Sequence, residues 1–237
     1  MQLSGKARLA IDIGGTFTDV AIALPGSGSR FITAKCPTTP GDPVAGAMHG
    51  VSLALERAGL SPADIGGFIH GTTLATNALI ERKGAQVGVI TTEVFRDILE
   101  IAYERRYDQY DINIEKPDLL VPRERCFTVP ERMNTKGEVL TPLETGSLDE
   151  TLAALDAEGV TSLAICLLHS YANPSHELEL AERIRTLRPD ISVSLSCEVS
   201  PEIREFDRLC TTVANAYVKP LMEQYLVALS RRLEADG

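Results

Sequence analysis

The run Ile11-Asp12-Ile13-Gly14-Gly15-Thr16-Phe17-Thr18-Asp19 brings a carboxylate, two glycines and two hydroxyls into one short stretch. In a strand ending at Ile13, alternation sends Ile11 and Ile13 to one face and Asp12 to the other. A carboxylate at the carboxyl end of a central strand is costly to bury alone, and a divalent cation is its natural partner. Mg2+ suits that position, because it takes one or two carboxylates and fills its shell with phosphate oxygens and water. Gly14 and Gly15 let the backbone approach a phosphate and aim N–H groups at it. Thr16 and Thr18 add hydroxyl donors. The expected chemistry is nucleotide-phosphate binding, with a metal at Asp12; an ordinary Gly-Gly hairpin turn without ligand is the competing reading. The segment is not a Walker A loop, since Gly-x-x-x-x-Gly-Lys-[Ser/Thr] is absent. Nor is it a dinucleotide fingerprint, since its glycines join strand to strand rather than strand to helix.

A second group follows a short strand. His70 precedes Gly71, Thr72 and Thr73 at the expected start of a helix, with Thr76 and Asn77 one turn further on. N–H groups there, with the two threonines, suit a carbonyl or carboxylate, and Thr76 and Asn77 can hydrogen-bond an amide. His70 reads either as a catalytic acid, base or donor, or as a structural histidine closing the strand. Arg105 and Arg106 form a third candidate, for a substrate carboxylate or a phosphate, or else a solvated loop cluster. Glu202, Arg204, Asp207 and Arg208 read best as intrahelical ion pairs. His169 and His176 have only Glu177 nearby, which argues against a metal site there.

The elements that position these residues follow from periodicity. Strands are expected at 7–13, 17–24, 30–36, 65–70 and 86–91, and a helix after Asp42-Pro43 that stops at Gly59. A second helix covers 73–82. Residues 103–146 lose periodicity and read as an irregular insertion with short strands at 126–130 and 138–140. Regular structure resumes with a capping box, Ser147 and Glu150, a buried strand at 161–168 and a helix after Asn173-Pro174. A strand at 191–195 follows, then a long helix from Ser200-Pro201 that Lys219-Pro220 breaks or kinks before a last helix at 221–234. Three meandering strands, then helix–strand–helix–strand, is the order of a ribonuclease-H-like α/β half domain. The expected division is 1–102 for that half domain, 103–146 for the insertion and 147–237 for a second α/β segment ending in long helices.

The 237 residues are 44% hydrophobic and 24% charged, with a net charge of −10, a composition outside the disordered range. The acidic balance argues against a nucleic-acid partner. No apolar run reaches the roughly 18 residues of a membrane span, and the first residues do not open a signal peptide. Five scattered cysteines without a Cys-x-x-Cys pair point to a reduced, cytoplasmic protein.

The Asp-headed strand–Gly-Gly-Thr–strand hairpin resembles the first phosphate motif of the actin, sugar-kinase and Hsp70 ATPase superfamily. The segments His70–Gly84, Thr91–Asp97, Leu167–Pro174, Glu198–Glu205 and Thr211–Val218 together resemble the hydantoinase A / 5-oxoprolinase family, in order along the chain. That resemblance implies ATP and Mg2+ as cofactors. It also implies phosphorylation of a ring-amide oxygen, with Asp12 and His70 catalytic, Gly14, Gly15, Thr16 and Thr18 on the phosphates, and Gly71, Thr72, Thr73, Thr76 and Asn77 with Arg105 and Arg106 on the substrate. The loop before Arg105 reads Ile101-Ala102-Tyr103-Glu104 where the family has a Gly-Arg-Gln type approach, and Phe206-Asp207-Arg208 stands where Tyr-Glu-Arg is usual. The implied partners are a small-molecule substrate, a hydantoinase-B-type subunit and a second lobe that would close the nucleotide site. Without that lobe, residues 1–237 are expected to bind ATP weakly and hydrolyse little of it. An ATP-dependent ketone carboxylase subunit and a non-catalytic binding module are the alternatives. A sugar-kinase relative with a DNA-binding arm is disfavoured, because no basic extension precedes Arg8.

Overall fold

The computed structural model describes residues 5–26, 30–39, 41–103, 110–113, 115 and 117–236, and among these residues two four-stranded sheets and a two-stranded ribbon organise the chain. The chain divides into unit 1, Met1–Lys83 with Leu221–Gly237, and unit 2, Gly84–Pro220. The fold is mixed α/β.

Unit 1 opens with an antiparallel meander, β1 (Ala7–Ile13), β2 (Phe17–Ala23) and β3 (Phe31–Pro37). Helix α1 (Pro43–Ala58) follows, then β4 (Ile65–Thr72), which pairs parallel to β1, and the short α2 (Leu74–Ile80). The sheet order is β3-β2-β1-β4. The expected start and stop of α1 are both formed. Asp42 accepts the Ala45 N–H at 2.9 Å, and Gly59 ends the helix at φ 64°. A left-handed residue there costs glycine nothing. Alternation along β1 buries Leu9, Ile11 and Ile13 and leaves Arg8 and Asp12 on the other, exposed face. The buried face packs with Ala47, Met48, Val51, Ala54 and Leu55 of α1.

Unit 2 contains β5 (Val87–Thr92), α3 (Ile98–Ile101), β6 (Cys126–Val129) and a two-stranded ribbon, β7 (Arg132–Met133) with β8 (Val139–Thr141). It continues with α4 (Leu148–Ala157), β9 (Ser162–Cys166), α5 (Ser175–Leu187), β10 (Ser192–Leu195), α6 (Ser196–Val199) and α7 (Glu205–Asp236). Its main sheet is parallel throughout, in the order β10-β9-β5-β6. Strands β5 and β9 are buried at every position, as parallel strands covered on both faces must be. Leu152, Leu155, Leu180 and Ile184 pack with them.

The boundaries differ from the expected 1–102, 103–146 and 147–237. The strand at 87–92 does not extend the first sheet. It pairs with β6 and β9, so unit 2 begins at Gly84 and takes in the stretch read as an insertion. Ser147 makes no side-chain cap bond, so the expected capping box is absent. The C-terminal helix starts later than expected, at Glu205, and Pro220 lies inside it without ending it. A proline leaves the carbonyl four residues earlier without its helical donor. That carbonyl, Ala216 O, accepts the Ser162 hydroxyl at 2.8 Å instead.

Among the described residues all five cysteines are free thiols. Burial pushes the Cys126 and Cys166 thiols up to about 11. Both are therefore expected to resist alkylation in native protein at pH 8 and to react fully in denaturant, which mass spectrometry of labelled peptides would check.

Candidate phosphate site on the first hairpin

The β1–β2 turn is built from Gly14, Gly15 and Thr16. Gly14 N–H closes it onto Phe17 O at 3.0 Å, and a Cβ on Gly14 would lie 3.1 Å from that oxygen. Thr38, just after β3, braces the turn from beneath. Its hydroxyl donates to Gly14 O at 2.9 Å and its N–H to Thr16 O at 2.9 Å. Among the described residues neither Gly15 nor Thr16 donates its N–H to a backbone acceptor, and both residues are exposed. The turn therefore leaves two N–H groups at the surface without a backbone acceptor on a braced frame, an arrangement that suits an anion.

Thr18 belongs to that frame. It is fully buried, and its hydroxyl shares a 3.1 Å hydrogen bond with the hydroxyl of Thr38. This removes Thr18 from the groups able to reach a phosphate; Thr16 stays at the surface.

Asp12 is exposed at the end of β1, directly across from Asp19. Like charges facing each other across a strand pair are unfavourable. Lys35 offsets one of them by bridging both Asp19 oxygens at 3.0 Å. No such cation is recorded for Asp12 among the described residues. Its carboxylate beside those N–H groups fits a Mg2+ held by one protein ligand, phosphate oxygens and water. An all-protein cage does not fit, since no cluster of three or more His, Cys, Asp or Glu occurs among the described residues.

The second sequence group packs against the first. Thr73 N–H and the Thr72 hydroxyl both donate to Ile13 O, at 3.1 and 3.2 Å. Thr72 Oγ1 in turn accepts the N–H of Leu74, the first residue of α2, at 3.1 Å. The side chain of Asn77 faces the turn, where a Cβ on Gly15 would meet its Nδ2 at 3.0 Å, and it donates to the Thr73 hydroxyl at 3.3 Å. Gly71 pairs with Asp12, and a Cβ there would touch its carboxylate at 3.4 Å. Thr76 is exposed on α2. Asp12, Gly15, Gly71, Thr73 and Asn77 thus meet around one hairpin.

His70 does not join them. It is in register with Ile11 and so faces the opposite side of the sheet from Asp12. There it stacks on Phe68 at a 6.5 Å centroid distance, and its Nε2 lies 2.5 Å from the hydroxyl of Tyr225. Burial lowers the His70 pKa, and the Asp12 charge opposes that shift. Tyr225 has no motif to flag it and was not expected. A cavity of about 580 Å³ opens on this same side, lined by Leu9, Met48, Val51, Leu55, Phe68 and Leu233 among others. Its wall is mainly apolar, with Ser52 and Arg232 as its polar members. Arg105 and Arg106 lie outside the described residues.

In unit 2 the expected ion pairs of the long helix are replaced by something stronger. Arg208 is 1% exposed and donates to Leu167 O and Glu202 O at 2.8 Å and to Ser196 Oγ at 3.1 Å. The Ser196 hydroxyl in turn donates to Glu177, which is fully buried and also accepts the N–H groups of Leu167 and Cys197. His176 pairs with buried Glu131 at 2.8 Å, and Glu131 also accepts from Thr92. These groups sit at the carboxyl ends of β5, β6, β9 and β10 and tie those ends together.

Comparison with known proteins shows the family of the chain. The chain is 34% identical over 236 residues to the caprolactamase subunit alpha of Pseudomonas jessenii, covering 97% of this chain and 34% of that protein. A crystal structure of the ATP-dependent caprolactamase from that organism superposes with a TM-score of 0.84 at 34% identity, over 96% of this chain and 33% of that one. The 5-oxoprolinase 1 of Arabidopsis thaliana is 31% identical over 262 residues, covering 99% of this chain and 20% of that protein. The acetophenone carboxylase gamma subunit of Aromatoleum aromaticum is 33% identical over 244 residues, covering 96% and 33%. The chain thus spans between a fifth and about a third of the length of these relatives. The sequence model described as the hydantoinase/oxoprolinase N-terminal region matches residues 8–187, and the chain belongs to that family.

Proposed function

We propose that this chain forms the nucleotide-binding N-terminal region of an ATP-dependent cyclic-amide hydrolase. In this reading unit 1 is a ribonuclease-H-like half domain of the actin-like ATPase type. The observation that carries the proposal is the hairpin itself, with two N–H groups that have no backbone acceptor, Asp12 without a paired cation among the described residues, and Asn77 against Gly15. Phosphoryl transfer needs mainly positioning and charge neutralisation. The N–H groups of Gly15 and Thr16 would hold phosphate oxygens, and Asp12 would hold Mg2+. Bound Mg2+ neutralises charge on the transferring phosphoryl group. A cyclic amide is a poor electrophile; moving the γ-phosphoryl group of ATP to its oxygen releases ADP and leaves a carbon that water can attack. A hydantoinase-B-type subunit is the expected partner for that second step. The 33% identity to a carboxylase subunit supports a second reading, in which an enolate oxygen takes the phosphoryl group instead.

Amide chemical shifts during titration with a non-hydrolysable ATP analogue test the proposal. With Mg2+ present, shifts are expected at Asp12, Gly14–Thr16 and Gly71–Asn77. Gly15→Val, which forces a branched side chain onto Asn77, is expected to remove them while leaving the far-UV circular dichroism intact. No response at the hairpin under saturating nucleotide, or a response confined to other residues, would reject it.

A further inference from the structure

His70 and Tyr225 are 155 residues apart in sequence, yet their polar atoms are 2.5 Å apart and their ring centroids 5.4 Å. Tyr225 is 5% exposed and belongs to the apolar cluster of unit 1 with Leu9, Ile11 and Leu229. We infer that Tyr225 is a positioning residue whose hydroxyl donates to Nε2 of His70, fixing the imidazole as its Nδ1–H tautomer and docking the last turns of α7 onto β4.

The direction of the hydrogen bond follows from what each alternative leaves unpaired. A buried hydroxyl proton without an acceptor costs about 1–3 kcal/mol. Among the described residues, His70 is the partner recorded for the Tyr225 hydroxyl. Donation from Nε2–H would fill a lone pair on the phenol but strand its proton. Donation from the phenol satisfies the proton, and the imidazole keeps its own proton on Nδ1. Burial raises the Tyr225 pKa to about 12, so the phenol holds its proton at any ordinary pH.

The bond lies one residue ahead of the wall of the phosphate hairpin. After His70, β4 runs through Gly71 beside Asp12 to Thr72 and Thr73, whose side-chain and backbone donors meet at Ile13 O. Anchoring His70 from α7 therefore sets the position of that wall. With Nε2 occupied and the ring on the far face from Asp12, His70 acts through β4 and not on the phosphate. This consequence rests on the phosphate reading of the hairpin; the tautomer does not.

Long-range 1H–15N correlation of the histidine rings at pH 8, without nucleotide, is the test. The His70 signals are identified by their loss in His70→Gln. The expected pattern is a protonated Nδ1 and a pyridine-like Nε2, and Tyr225→Phe is expected to shift the balance toward Nε2–H. An Nε2–H tautomer in the wild type, or an unchanged pattern in Tyr225→Phe, would overturn the inference. Glutamine places an acceptor near Nε2 and asparagine near Nδ1. His70→Gln should therefore keep amide-exchange protection over 221–233 near the wild-type level, and His70→Asn should lower it at least tenfold. Equal protection in both variants would also overturn it. A tautomer that depends on Tyr225, together with a hairpin that ignores nucleotide, would reject the phosphate reading and leave the positioning role standing.

Discussion

Asp12→Asn is expected to abolish the Mg2+-dependent part of nucleotide binding. Asparagine has nearly the same shape, so β1 and its pairing with β2 and β4 remain. It loses the charge for which no partner is recorded, while Lys35 continues to serve Asp19. In wild-type protein, chelating Mg2+ should weaken binding of an ATP analogue about tenfold or more, equivalent to ~1.4 kcal/mol per factor of ten. In Asp12→Asn, affinities with and without Mg2+ should coincide near the chelated wild-type value. Removing the Asp12–Asp19 repulsion should leave the melting temperature unchanged or slightly raised. Calorimetric titration with and without a chelator reads both effects. A variant that keeps the full Mg2+ dependence would move the metal away from Asp12.

Arg208→Met is expected to be the most damaging single substitution in unit 2, at about 3–5 kcal/mol. The loss has two parts. Leu167 O and Glu202 O lose a buried donor, and Glu177 keeps its charge in the interior without the guanidinium beyond Ser196. Methionine fills much the same volume, so little of the effect comes from a cavity. Glu177→Leu should also be severe, because the N–H groups of Leu167 and Cys197 lose their acceptor. The double variant should be less destabilised than the sum of the two, since each charge is then removed together with its counterpart. Urea unfolding of the four proteins measures the coupling. Strict additivity would show that the two charges do not interact through Ser196.

Local signals carried much of unit 1. The Asp42 cap, the Gly59 stop, the β1 alternation and the glycine turn are each written within a few consecutive residues, and each appears where expected. Juxtapositions across long loops were not legible. Thr18 reads as a hydroxyl donor until Thr38 is seen to take it. The switch of the 87–92 strand to a second sheet depends on Cys126–Val129 and Ser162–Cys166 as partners, and its own residues do not encode that choice. Pro220 reads as a breaker because the Ser162 hydroxyl that satisfies the freed Ala216 carbonyl lies 54 residues before that carbonyl in the chain. Arg208 reads as a surface charge because periodicity shows which face of α7 is buried but not that a carboxylate waits behind Ser196. His70 and Tyr225 are the extreme case, with 155 residues between them.

The placement of unit 2 inside unit 1 sets an order of synthesis. Residues β1 to α2 leave the ribosome first, but Tyr225 and Leu229, which complete their apolar cluster, come only after the whole of Gly84–Pro220. At usual elongation rates that delay is on the order of ten seconds. Unit 2 meanwhile closes on itself. Its two ends meet where Ala85 N–H donates to Tyr217 O at 2.9 Å, and Gly84 lies so close to the Tyr217 ring that a Cβ would fall 2.2 Å from it. The inserted unit can therefore close while the apolar face of the first sheet is covered by α1 alone and still lacks Tyr225 and Leu229.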